Sequence, residues 1–355
     1  VTSDATRDTG QEAVSHARRI TTDLLRRVED RLSSLLAAER EVWAEVHEGA
    51  VVPVDALAEL MASGGKRIRP AFCVTGYLAA GGDPDAPGIV AAGAALEMLH
   101  ISALVHDDVL DDSSRRRGLP TVHTKHAALH DSRGWQGESR RYGEGVAVLV
   151  GDLALVYSDA LMTEAPRQVL PEWNRLRSEV MIGQYLDVHA AAEFSASPRS
   201  ARLIARIKSG RYTIHRPLVV GAKAAGRDEL APVFEEYGEA VGEAFQLRDD
   251  LLDAFGDSTD TGKPTGLDFT QHKMTLLLGW AMQRDERVHG LITEPGHTPG
   301  EVRRRLVDTG VPADVERHIA GLVERGCKAI ADAPIDQVWR GELADMARRA
   351  AYRSA

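Results

Sequence analysis

The chain has 355 residues, 43% of them hydrophobic and 27% charged, with a formal net charge of -10. That length suits two average domains or one large helical one, and it is ample for a buried core. Excess acid argues against nucleic-acid binding, which needs a basic face. Two cysteines, Cys73 and Cys327, stand outside any CxxC pair; they exclude a disulfide framework and fit a reducing, cytoplasmic setting.

Residues 1–12 are polar and carry acid, as expected of a flexible tail and not of a signal peptide. The rest, 13–355, reads as a single all-α domain. Between Gln11 and Glu48, apolar Ile20, Leu24, Leu25, Val28, Leu32, Leu35 and Leu36 recur near the helical period and predict a long amphipathic helix. Pro53, Pro70, Pro84, Pro87, Pro166, Pro171, Pro198 and Pro232 fall where helices are expected to begin. The apolar stretch from Ala91 to Val105 is broken by Glu97 and His100 and reads as too short for a membrane span, so no transmembrane segment is expected. It belongs to a helix running from about Pro87 into an acidic cluster. The polar, glycine-bearing region Gly118 to Gly143 predicts a long loop, and Pro295 to Gly300 a second. No stretch alternates as a strand does, and no internal repeat divides the chain. The expectation is a large helical bundle with its site between facing helices.

Two acidic clusters carry the chemistry. In the first, Asp107 and Asp111 are four residues apart, as are Asp108 and Asp112, so each pair shares a helix face. In the second, Asp249 and Asp253 repeat that geometry beside Asp250. Like charges at this spacing destabilise a helix unless something neutralises them. A solvated acidic face is the plainer reading of one such cluster. Here Leu104, Val105, Val109 and Leu110 flank the first set, and Phe245, Leu247, Leu251, Leu252 and Phe255 flank the second. Acids embedded in apolar helix call for a cation. Oxygen-only donors without cysteine or histidine spacing favour Mg2+ over zinc, and the glycine-centred loop of an EF-hand is missing.

A site of carboxylates and Mg2+ takes an anion, and phosphate is the usual one. Gly64, Gly65, Lys66, Arg67, Ile68, Arg69 and Pro70 place two glycines and three cations at a helix start, where N–H groups favour a phosphate. Arg115, Arg116 and Arg117 follow the first acidic set; a guanidinium matches phosphate oxygens bidentately. Lys208, Arg211, Lys263 and Lys273 add cations near glycines. His100 lies two turns before Asp107, near the same face, although a core histidine is its default reading. Cys73 sits among apolar residues and reads as core. Neither GxSxG nor a Walker-type loop is present, so hydrolase and kinase readings fall away.

In order, the motifs are Gly65, Lys66 and Arg67 with Arg69; His100; Asp107, Asp108 and Asp111 followed by Arg116, Arg117 and Gly118; Gln184 with Asp187; Lys208 with Ser209; Gln246 with Asp249, Asp250 and Asp253; then Lys263 and Lys273. This set resembles the trans-isoprenyl diphosphate synthase (polyprenyl synthetase) family, which includes geranylgeranyl and farnesyl diphosphate synthases. The resemblance implies an all-α prenyltransferase of the isoprenoid synthase type, with a central cavity and normally a homodimer. It implies that Asp107, Asp111 and Asp249 hold Mg2+ while Asp108, Asp250 and Asp253 orient ligands. Arg116, Lys208 and Lys263 would grip the allylic diphosphate, with Gln246 near it. Gly65, Lys66, Arg69, His100 and Arg117 would grip isopentenyl diphosphate, with Lys273 as a neighbour. In that family the product grows beside the helix of the first acidic set. Here Ser102 and Ala103, five and four residues before Asp107, are small, and Leu99 and Met98 lie a turn further back. The expected product is therefore C20 geranylgeranyl diphosphate, with C15 or a longer chain as alternatives. A class I terpene cyclase shares the first acidic set but needs an Asn/Ser/Glu triad; Asn174 and Ser178 begin that spacing and Ile182 ends it. A non-catalytic subunit of a heteromeric synthase would tend to lose acidic clusters, and both are complete here.

Overall fold

The structure, a computed structural model, describes residues 2–193, 197–256, 266–271, 273–293 and 298–353, with side chains from residue 14 onward except Leu267. Helix α1 (Thr2–Val46) buries Leu24, Val28, Leu32 and Leu36, one residue per turn, against the bundle. It begins at Thr2, so the segment expected as a tail is helical from its second residue. Next come α2 (Val52–Ala62), α3 (Ile68–Ala79) and α4 (Pro87–Leu110). Proline occupies the first turn of α2 and of α4, where its missing N–H costs nothing.

Helix α4 is the central rod. By length and hydropathy it is apolar enough to cross a membrane, contrary to the reading of its sequence, but 78% of that stretch is buried inside the fold. Only α6 (Ser139–Met162) shares that composition among the described helices, and it packs along α4.

The expected loop from Gly118 to Gly143 is mostly helix. A short antiparallel hairpin pairs Arg115 with Pro120 and Arg116 with Leu119, and α5 (Val122–Arg133) follows. The face of α5 that packs on α6 is made of His123, His126 and His130, all buried. Histidine reads as polar in a sequence, and a helix whose inner face is imidazole therefore resembles a loop.

Helix α7 (Leu170–Glu193) leads to α8 (Pro198–Ile204), a π-helical segment (Ala205–His215) and α9 (Arg216–Ala224). Pro217 lies inside this run. In a regular helix its ring would press on the Thr213 carbonyl, and the wider turn just before it relieves that clash. Two glycines clamp the π segment. A Cβ on Gly183 of α7 would stand 2.8 Å from the Lys208 backbone, and one on Gly242 would stand 2.5 Å from Gly210. Helix α10 (Ala231–Phe255) carries Gly242 and the second acidic set.

The remaining helices are α11 (Leu267–Thr270), α12 (Leu276–Arg284), α13 (Arg287–Thr293), α14 (Pro299–Thr309), α15 (Val311–Ala331) and α16 (Gln337–Ala351). Of the second expected loop, residues 295–297 lie outside the described residues; Thr298 and Glu301 form a reciprocal cap, and Pro299 and Gly300 are helical. One apolar core gathers α1, α4, α6 and α7, including Cys73. Another gathers α9, α10 and α12 to α16. The candidate site opens where α3, α4, the π segment and α10 meet between them.

Candidate active site

A cavity of about 840 Å³ is lined by Gly65, Lys66, Arg67, Arg69, Glu97, His100, Asp107, Arg117, Lys208, Ser209, Thr213, Phe245, Gln246, Asp249, Asp250, Asp253, Asp268 and Arg353, among others. It has a basic wall and an acidic wall.

The basic wall is the turn between α2 and α3. Gly64 and Gly65 adopt φ of 89° and 152°, and Arg67 a left-handed φ of 47°. A Cβ on Gly65 would lie 2.8 Å from the Arg67 guanidinium and 3.1 Å from that of Arg117, so glycine lets these cations converge. Arg67 is used to hold the turn. It donates to Glu97 at 2.7 Å, to Glu29 at 3.1 Å and to the Met61 carbonyl at 3.1 Å. Arg69 donates to the Thr213 hydroxyl at 3.0 Å and lies 4.2 Å above the Tyr212 ring. His100 turns an edge to the same ring, and its buried Nδ1 has no partner. Burial, and then Arg69, hold His100 well below its usual 6.5, so it faces this wall neutral. Arg117 binds the Ser63 hydroxyl and the Gly64 carbonyl, which ties the hairpin to the turn.

The acidic wall comes from α4 and α10. Lys208 bridges Asp187 at 2.6 Å and Asp107 at 3.3 Å. Burial works to raise Asp107, but Lys208, Lys273 and Arg116 outweigh it and hold the carboxyl below its usual range. Asp111, pushed up by burial and by Asp107, pairs with Lys273. Asp249 pairs with Arg353. Gln246 donates to Asp250 at 2.8 Å. Burial and then Asp268 push Asp250 well above the carboxylate range. Asp268, raised to about 7 by burial and then Asp253, sends its backbone N–H to Asp253 at 3.2 Å.

Most of the residues singled out in the sequence converge here. Several do not. Asp108 is buried and turned away, gripped by Arg116 at 2.6–2.9 Å through both carboxylate oxygens. Arg116, expected on a diphosphate, is thus committed to a carboxylate. Lys273 meets Asp111 directly. Met98, Leu99 and Ser102 are fully buried, Ala103 is half-buried, and none of the four lines the cavity. Lys263 lies outside the described residues. Sequence reasoning assigned no site role to Arg353, Asp268 or Thr213. Asp268 had a signal, an acid just past a glycine turn; Arg353 had none.

Among the described residues, no three carboxylates or imidazoles already converge on one ion-sized point. The chemistry of the donors nevertheless fits a hard divalent cation. The wall offers oxygen alone, and its crowded acids are raised by burial and by neighbouring carboxylates, Asp250 by Asp268 and Asp268 by Asp253. Asp107 and Asp249 line the cavity while Asp111 does not, and each of the three balances a protein cation. A cavity of this kind can hold a polyanion on one side and dications on the other.

A family model described as polyprenyl synthetase matches residues 53–306. Relatives include the geranylgeranyl diphosphate synthase of Cereibacter sphaeroides, 32% identical over 281 residues covering 74% of this chain and 90% of that protein. The nonaprenyl diphosphate synthase of Mycobacterium tuberculosis is 28% identical over 272 residues, 76% of each chain. Among solved structures, a geranylgeranyl pyrophosphate synthase from Corynebacterium glutamicum, complexed with isoprenyl diphosphate and magnesium, matches with a TM-score of 0.86 at 34% identity, covering 92% of this chain and 97% of that one. The matched segment exceeds two thirds of the chain and contains the basic turn and, facing it across the cavity, Asp107 and the second aspartate set, and the chain belongs to the polyprenyl synthetase family of trans-prenyltransferases.

Proposed function

We propose that this chain condenses isopentenyl diphosphate with allylic diphosphates in the presence of Mg2+, and that its main product is C20 geranylgeranyl diphosphate. The observation that carries the reading is the two-walled cavity, which has room and charge for two diphosphates. Lys66, Arg69 and Arg117, with neutral His100, form a seat for isopentenyl diphosphate. Asp107, Asp111 and Asp249 hold Mg2+ beside the allylic diphosphate, and Lys208 lies within reach of the same group. Bound there, Mg2+ supplies neutralisation of the charge that develops on the departing diphosphate. The chain's own share is to orient both substrates, to keep water away from the allylic cation, and to leave the released diphosphate as proton acceptor; no protein base is required. Small Ala103, one turn from Asp107, supports a product longer than C15. Relatives range by name from farnesyl to nonaprenyl diphosphate synthases. Leu149 and Val156 on α6 with Ile182, Tyr185 and Val188 on α7 leave an exposed apolar face that supports a homodimer.

The test is incubation of the purified chain with labelled isopentenyl diphosphate, Mg2+ and each allylic primer, with the products sized. Turnover by the chain alone is expected, whereas two relatives are named heptaprenyl diphosphate synthase component 2. Asp107→Ala and Asp249→Ala should each lower turnover by roughly 10²–10³, on the scale of losing an oxyanion donor. Full activity in excess EDTA, or near-normal turnover of both variants, would sink the assignment.

A further inference from the structure

Arg353 is a cation shared between the two walls. Two residues beyond α16, its guanidinium pairs with Asp249, lies 4.0 Å above the Phe245 ring, and lines the cavity with Lys66 and Arg69. Its side chain is only 14% exposed. The backbone behind it is tethered. Arg248 donates to the Ala351 carbonyl at 2.6 Å while binding Glu316 at 2.8 and 2.6 Å. Arg353 thus reaches into the cavity from a fixed base, and its side-chain torsions are its freedom.

The charges around it pull in opposite directions. Burial, then Arg248 and Arg69, push Arg353 down to about 10, and Lys66 is lowered by burial and then by Arg353. The basic wall repels this arginine and Asp249 attracts it. A dication at Asp249 removes the attraction, and a diphosphate on Lys66 and Arg69 turns the repulsion into attraction. The face of Phe245 supports the guanidinium where it stands beside Asp249.

We propose that Arg353 is a positioning residue that exchanges Asp249 for an anion on the basic wall, so that filling one wall prepares the other. This rests on the functional reading above. Its thermodynamic content is reciprocal. While paired with Asp249, Arg353 opposes a cation there; once drawn to an anion, it strengthens that anion's binding. Couplings between sites commonly amount to about 5–150-fold.

The experiment measures two half-reactions that need no turnover. Mn2+ binding is followed by electron paramagnetic resonance with no diphosphate present, and inorganic pyrophosphate binding by calorimetry in EDTA. Arg353→Gln should bind Mn2+ about fivefold or more tighter and pyrophosphate about fivefold or more weaker. Arg353→Lys, which keeps the charge, should restore much of the pyrophosphate binding. In an Asp249→Asn background, Arg353→Gln should no longer tighten Mn2+. A purely structural role weakens both ligands together, and no role leaves both unchanged; either result overturns the exchange. If the unmodified chain binds neither Mn2+ nor pyrophosphate, the functional reading itself fails, and the exchange with it.

Discussion

Ser102 and Ala103 are neighbours in sequence with opposite surroundings, and a phenylalanine placed at each should do opposite things. Ser102 is 0% exposed and its hydroxyl has no partner. Ala103 is half-buried, four residues before Asp107 and three after His100, both of which line the cavity. Those spacings put all three on one helix face. Ala103 does not itself line the cavity, but a ring there would project from the face that bears His100 and Asp107, toward the space a growing chain is proposed to cross. A ring at Ser102 enters closed core, where overpacking costs about 1–3 kcal/mol. That cost is a drop of roughly five- to 150-fold in the folded-to-unfolded ratio at about 1.4 kcal/mol per tenfold. Ala103→Phe is therefore expected to stay within about 1 kcal/mol of the parent in urea unfolding, below that overpacking range, and to shift the product from C20 to C15. Ser102→Phe is expected to lose stability by the amount above and to leave product length unchanged. Chromatography of the dephosphorylated products, beside the unfolding curves, reads both. An active Ala103→Phe enzyme with unchanged product, or a shortened product from an unimpaired Ser102→Phe enzyme, places the growing chain on another face. A parent that stops at C15 removes the small-residue argument altogether.

Arg69→Ala should raise the KM for isopentenyl diphosphate more than that for the primer, and equal effects in steady-state kinetics would misplace the basic wall. Arg116→Ala strands the buried Asp108 and should cost about 3–5 kcal/mol in unfolding, largely recovered by adding Asp108→Ala; a primer KM change with full stability would instead restore Arg116 to a diphosphate. His215 is held down to about 3 by burial, then by Arg216 and Arg211. Between that value and 6.5 the unfolded chain binds a proton that the native one refuses, so stability from this group is full above 6.5 and declines as pH falls through the window. His215→Leu should flatten the urea midpoint's dependence on pH there, and an unchanged slope would assign it to other groups.

How far the site was legible depends on whether its chemistry is local. The two aspartate sets were readable because carboxylates four apart inside apolar helix contradict their surroundings within nine residues of sequence. The basic turn was readable because its glycines and cations are contiguous. Partnership was not readable. Asp107 and Asp108 are consecutive, yet the helix turns between them: one faces Lys208 and the cavity, the other faces Arg116 and is sealed. The motif names both and cannot say which is spent on structure. Arg353 carries no local pattern, and 104 residues separate it from Asp249. Only the return of α16 along α10, pinned where Arg248 meets the Ala351 carbonyl, brings it to the wall. Helix α5 was hidden for a related reason, since His123, His126 and His130 count as polar until a partner helix buries them. A motif therefore identifies the groups that can bear charge, whereas packing decides which charges remain free for a ligand. The balance between Arg353 and Asp249 belongs to the second kind, and so it could be inferred only once both walls of the cavity were in place.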